Sequence, residues 1–154
     1  MERGMNYSEE EVTKGIINWL VSNGWAIVCY DFPQSGTGIQ MHPNNANSKT
    51  EGIVIPDIVA IKNSIVLDFE NKDHYMQSDF DKVQYLKNTS DYNDAWEHLL
   101  RNHQYSDIYY GIGLPFSDKN AQKVQEHIDQ VDFAVLLNSD GSLTTFGAKA
   151  DLLQ

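Results

Sequence analysis

Residues 55–72 read Ile55-Pro56-Asp57-Ile58-Val59-Ala60-Ile61-Lys62-Asn63-Ser64-Ile65-Val66-Leu67-Asp68-Phe69-Glu70-Asn71-Lys72. β-Branched and aliphatic side chains fill both halves, and Lys62-Asn63-Ser64 between them supplies a tight turn. The pattern predicts strands over 53–62 and 65–72, paired as an antiparallel hairpin. Side chains alternate along a strand, which puts Asp57 in a row with Ile55, Val59 and Ile61. On the second strand Val66, Asp68, Glu70 and Lys72 share a face, opposite Ile65, Leu67 and Phe69. A carboxylate in an aliphatic row is costly unless a hydrogen-bond network or a cation satisfies it. Alone, Pro56-Asp57 also fits a plain strand opening, and Glu70-x-Lys72 fits a solvated face with cross-strand ion pairs.

Outward from the hairpin, Ser8-Glu9-Glu10-Glu11 predicts a helix start with Ser8 as cap and Glu11 closing a capping box. Val12, Ile16, Trp19 and Leu20 make the apolar stripe of a helix over 8–23, closed by Gly24. A strand is predicted over 25–32, then a polar loop over 39–52. Beyond the hairpin the pattern predicts helices over 79–87 and 94–102 and a strand over 107–114. A helix over 118–130, capped by Ser117 or Asp118, a strand over 132–138 and a short extended tail complete it. The order α-β-β-β-α-α-β-α-β implies an α/β protein, a mixed sheet flanked by helices, in one domain over 1–154.

Composition narrows the function. The chain has 154 residues, 41% hydrophobic and 21% charged, which fits an ordinary folded domain. No stretch approaches the ~20 apolar residues of a membrane span. Cys29 is the single cysteine, which excludes an internal disulfide and suits a reducing, cytoplasmic setting. Eleven basic against 22 acidic residues give a net charge of −11, which argues against a broad non-specific DNA-binding surface. Nucleic-acid contact would then need a local patch, a bound cation or a basic partner chain.

Brought together on one hairpin, Asp57, Glu70 and Lys72 are the groups that phosphodiester hydrolysis calls for. Paired carboxylates hold hard divalent cations through oxygen. Such a cation polarises the phosphoryl oxygen and helps form hydroxide from water. A lysine beside it can orient or deprotonate the water, or offset charge on the phosphorus.

The run Ile55-Pro56-Asp57 to Asn63, followed by Glu70-Asn71-Lys72, resembles the active-site hairpin of the PD-(D/E)xK nucleases, a superfamily with the restriction endonuclease-like fold. It is most similar there to archaeal-type Holliday-junction resolvases, over about residues 8–73. The resemblance implies that Asp57 and Glu70 are metal ligands, that Asn71 supplies a backbone carbonyl ligand, and that Lys72 is catalytic. Mg²⁺ is the implied cofactor, with Mn²⁺ able to substitute. Family members usually add a glutamate from the first helix, where spacing from Gly24 leads to Thr13. Glu9 or Glu10, one turn earlier, can fill that role, although first-turn acids also serve the helix dipole. Ser35, in a small-residue loop, and Gln84, on the helix after the lysine, are candidate substrate contacts.

The implied activity is a Mg²⁺-dependent DNA endonuclease of restriction or defence type. It would work as a homodimer or as a catalytic subunit beside a basic DNA-recognition partner. A resolvase or repair nuclease is the alternative within that chemistry, and net −11 weighs against it. An inactive nuclease-fold binding or assembly module is the alternative outside it. His98 and His103 do not share a helix face, so a zinc site is not expected. Trp96, Tyr105, Tyr109 and Tyr110 suit core or interface packing better than base stacking.

Overall fold

The computed structural model describes residues 7–32, 38–44 and 52–153. Its elements are α1 (Glu9–Ser22), β1 (Ala26–Tyr30), β2 (Ile58–Lys62), β3 (Ile65–Asn71), α2 (Gln77–Asn88), α3 (Asn93–Leu99), β4 (Asp107–Pro115), α4 (Asp118–Glu126), β5 (Phe133–Leu137) and β6 (Leu143–Phe146). Short 3₁₀ turns at Ile128–Gln130 and Ala150–Leu153 complete them. The strands form one six-stranded sheet in the order β1-β2-β3-β4-β5-β6. Pairing is antiparallel for β1–β2, β2–β3 and β5–β6, and parallel for β3–β4 and β4–β5. The protein is therefore a mixed α/β fold with helices on both faces.

Topology follows from the turns. Asn63 and Ser64 both take positive φ, 51° and 70°, which closes the β2–β3 hairpin so tightly that only antiparallel pairing is open. The parallel steps need crossovers, and these carry α2 and α3 before β4 and α4 before β5. Two successive crossovers in the same direction and of one hand bring their helices to the same face. Phe80 and Val83 of α2 and Val124 of α4 accordingly pack on Ile112, Leu114, Ala134 and Leu136. On the other face, α1 buries Val12, Ile16 and Leu20 against Ile58, Ala60, Leu67, Phe69, Phe133 and Val135.

The helix start has the expected chemistry: Ser8 Oγ accepts from Glu11 N–H, and Glu11 Oε1 accepts from Ser8 N–H. Several expectations are corrected. The strand expected over 53–62 is shorter: Val54 makes only an isolated bridge with Met41, and β2 begins at Ile58. Pro56 lacks the N–H that a continuous ladder needs. Asp57 thus stands just ahead of β2, yet its N–H still donates to Phe69 O at 3.2 Å. The helix expected over 118–130 breaks at His127 into a 3₁₀ turn, and that over 94–102 ends at Leu99. The tail after Gly141 is a true strand, β6, paired with β5 through Thr144 and Thr145. Trp96 is buried and meets Tyr110 edge-on at 6.1 Å, so these aromatics are core, not a base platform.

One close approach ties the fold to the site. Gly113 of β4 lies opposite Asn71 of β3, and a Cβ there would overlap Asn71 Oδ1 and Ile16 Cδ1. Gly113→Ala is expected to lower stability by about 1–3 kcal/mol through overpacking, read as a lower urea midpoint.

Candidate active site

The β2–β3 register places Ile58 opposite Phe69, so Asp57 and Glu70 stand across from each other where the hairpin opens. Asp57 Oδ2 accepts a 2.7 Å hydrogen bond from Asn71 N–H, which fixes its carboxyl over the β3 backbone. The Asn71 side chain is fully buried and points to the α1 face, where its Nδ2 donates to Thr13 Oγ1 at 3.1 Å. Asn71 Oδ1 has no hydrogen-bond partner. Thr13 is thus a buried brace on Asn71.

The two first-turn candidates part company. Glu10 pairs with Lys14 at 3.0 Å on the exposed side of α1. Glu9 reaches Lys72, with Oε1 3.6 Å from Nζ. The acid that joins the site is Glu9.

Helix α2 closes the site from the other face with two residues that the sequence reading passed over. Lys82 donates to Glu70 Oε2 at 3.1 Å. Asp79, one turn earlier, is buried and its Oδ2 has no hydrogen-bond partner. Spacing held the only signal: Asp79 and Lys82 share one side of a helix whose Phe80 and Val83 mark the core. Gln84 lies on a different side, where its Oε1 accepts from Gln130 Nε2 at 3.0 Å, in a polar network with Asp81 and Gln77. It does not join the carboxylates. Ser35 lies outside the described residues.

Burial dominates the electrostatics. It raises the Asp57 carboxyl well above the ordinary range, the Glu70 charge adds to this, and the Asn71 N–H bond opposes it. Asp68, on the same side of β3, is pushed up to about 8, first by burial and then by Glu70. Glu70 and Asp79 are also raised by burial, with Lys82 pulling Glu70 back and Lys72 pulling Asp79 back. Burial pulls the Lys72 ammonium down, but the carboxylates of Glu9, Asp79 and Glu70 outweigh it and hold it above the usual lysine range. Cys29, half-buried nearby, has its thiol pushed up to about 12 by burial and the Asp68 charge, which leaves it unreactive.

Among the described residues, Lys72 and Lys82 are the lysines that face Glu9, Asp57, Asp68, Glu70 and Asp79, with His74 adding a weaker influence on Asp79. When all are ionised, negative charge is left uncompensated in a poorly solvated place. Among the described residues, no three carboxylate, imidazole or thiol groups form a ready-made metal cage. The donors of Asp57 and Glu70 at the hairpin mouth are nevertheless hard oxygens, and α2 brings beside them Asp79, whose Oδ2 is buried and unpartnered; that chemistry fits a divalent cation. Asp57 and Glu70 would hold it.

No family model matches the chain, and no curated protein matches it. Among solved structures, the chain is similar to the crystal structure of an XisH family protein from Nostoc punctiforme. The two are 14% identical, the match covers 86% of this chain and 95% of that one, and the TM-score is 0.44. No helix among the described residues is long and apolar enough to cross a membrane.

The raised carboxyls make a pH prediction. A carboxyl whose folded pKa lies above its unfolded value binds protons more tightly when folded, so stability is lost as pH rises through that interval. For Asp68 the interval runs from about 4, the unfolded value, to about 8. Without divalent metal the urea midpoint is expected to fall across that range. Asp68→Asn should flatten the fall, with its gain over wild type seen only at the alkaline end.

Proposed function

We propose that this chain is a metal-dependent endonuclease of the PD-(D/E)xK superfamily that hydrolyses phosphodiester bonds of DNA. The observation that carries the reading is the Asp57–Glu70 carboxylate pair across the mouth of the β2–β3 hairpin, Asp57 buried and Glu70 largely so, with Lys72 beside it under the hold of Glu9. Such pairs cost stability when no cation is bound, and a site with that cost suggests a use.

In this reading Asp57, Glu70 and the Asn71 backbone carbonyl would hold Mg²⁺, with Mn²⁺ as a working substitute. The bound cation supplies Lewis acidity toward a phosphoryl oxygen and lowers the pKa of water. Lys72, held by Glu9, would orient the attacking water and offset charge gathering on the phosphate. Glu9 positions that ammonium and has no need to be a ligand. Thr13 and Gly113 keep Asn71, and with it the N–H that anchors Asp57, in place.

A net charge of −11 favours a restriction or defence enzyme over a junction resolvase or repair nuclease, because gripping long stretches of DNA calls for many cations. DNA contact then falls to a local patch or to a basic recognition subunit, and a second copy would supply the second active site that a double-strand cut needs. The same reading puts the chain in the cytoplasm, where Cys29 remains a thiol. Two observations favour the rival, an inactive nuclease-fold binding module: the Glu70–Lys82 ion pair engages a ligand carboxylate, and Thr13 stands where the nucleases usually carry a helix glutamate.

Incubating plasmid, single-stranded and four-way-junction DNA with Mg²⁺ or Mn²⁺, with and without cell extract, decides between them. Metal-dependent cleavage is expected, reduced at least about a hundredfold in Asp57→Asn and Lys72→Met. No cleavage under any of these conditions overturns the enzyme.

A further inference from the structure

We propose that Lys82 is a built-in counter-ion that holds Glu70 in the metal-free protein and gives way when a divalent cation enters. The proposal rests on the metal-dependent reading above and concerns how the site exists before the metal arrives.

The geometry is specific. Lys82 Nζ sits 3.1 Å from Glu70 Oε2, whose side chain is only 14% exposed, whereas the Lys82 side chain is 37% exposed. The carboxylate is thus fixed by its strand and the ammonium lies on the solvent side. Asp57 and Asp68 also face this ammonium, so it is the positive charge shared by the acids of the hairpin mouth. Lys72, the other lysine, is held toward Glu9 on α1. With Lys82 removed, Asp57, Asp68 and Glu70 would be left with Lys72 alone, and that ammonium is already held toward Glu9.

Lysine is suited to a temporary place of this kind. Its ammonium is a compact charge on a flexible four-carbon stem, able to leave without disturbing the helix that bears it. A divalent cation bound to Glu70 and Asp57 would meet the Lys82 charge at close range, and that repulsion favours swinging the stem to solvent. The ion pair therefore keeps the empty site folded and lowers its affinity for metal. Only a doubly charged ion that binds Asp57 and Glu70 together gains enough to displace it.

Calorimetric titration of Mn²⁺ into wild type, Lys82→Met, Lys82→Gln and Asp57→Asn tests this without reference to cleavage. Lys82→Gln keeps a hydrogen-bond donor for Glu70, so the test survives if Lys82→Met does not fold. Both Lys82 variants are expected to bind Mn²⁺ about tenfold more tightly than wild type. They should also melt at lower temperature in chelator and show a larger rise on adding Mn²⁺. Equal or weaker binding in a folded Lys82 variant overturns the proposal. If wild type binds and Asp57→Asn does not, the metal reading stands whatever the Lys82 variants do. If neither wild type nor the Lys82 variants bind Mn²⁺, both ideas fall.

Discussion

The hydrogen bond from Asn71 N–H to Asp57 Oδ2 holds together the part of this protein that is costly to build. It lets a carboxylate without a salt bridge of its own sit at the buried mouth of the hairpin, because a charge-assisted bond to backbone recovers part of the lost hydration. The bond forms only if the β2–β3 register is kept and Asn71 stays fixed. The Asn63-Ser64 turn keeps the register. Thr13 from α1 and the space above Gly113 of β4 fix Asn71. A hairpin, a helix and a parallel neighbour thus converge on one carboxyl group.

The surrounding core offsets what the site costs. On the α1 face, Ile16, Leu20, Phe69 and Phe133 are fully buried, and Phe69 meets Phe133 edge-on at 5.1 Å. On the opposite face the apolar packing of α2 and α4 continues up to Phe80 and Val83, and polar residues enter where α2 passes over Glu70. The concentration of acids is local. Away from the hairpin mouth, acidic residues are used as caps and surface partners, as with Glu11 at Ser8 and Glu10 at Lys14.

Patterns of short range were legible in the sequence. The capping box at Ser8, the hairpin turn at Asn63-Ser64 and the alternation that sets Asp57 with Glu70 all follow from local stereochemistry. So did the α/β class, because alternating strands and helices after the hairpin force parallel crossovers. Features set by tertiary contact were not legible. Lys82 and Asp79 look like ordinary surface charges until α2 is laid across β3. Choosing Glu9 over Glu10 required knowing which side of α1 meets Lys72. Gln84, plausible by its position after the lysine, faces Gln130 because the turn at Ile128–Gln130 packs beside α2. β6 was missed because Leu143-Thr144-Thr145-Phe146 is too short for its alternation to stand out from a tail.

The central claim is that Asp57 and Glu70 form one cation site. Anomalous diffraction from Mn²⁺-soaked crystals tests it most directly. A single strong peak within coordinating distance of the Asp57 and Glu70 carboxylates and the Asn71 carbonyl is the result this account predicts. A fully loaded crystal with no peak there, or with manganese bound only to acids elsewhere on the surface, would contradict it.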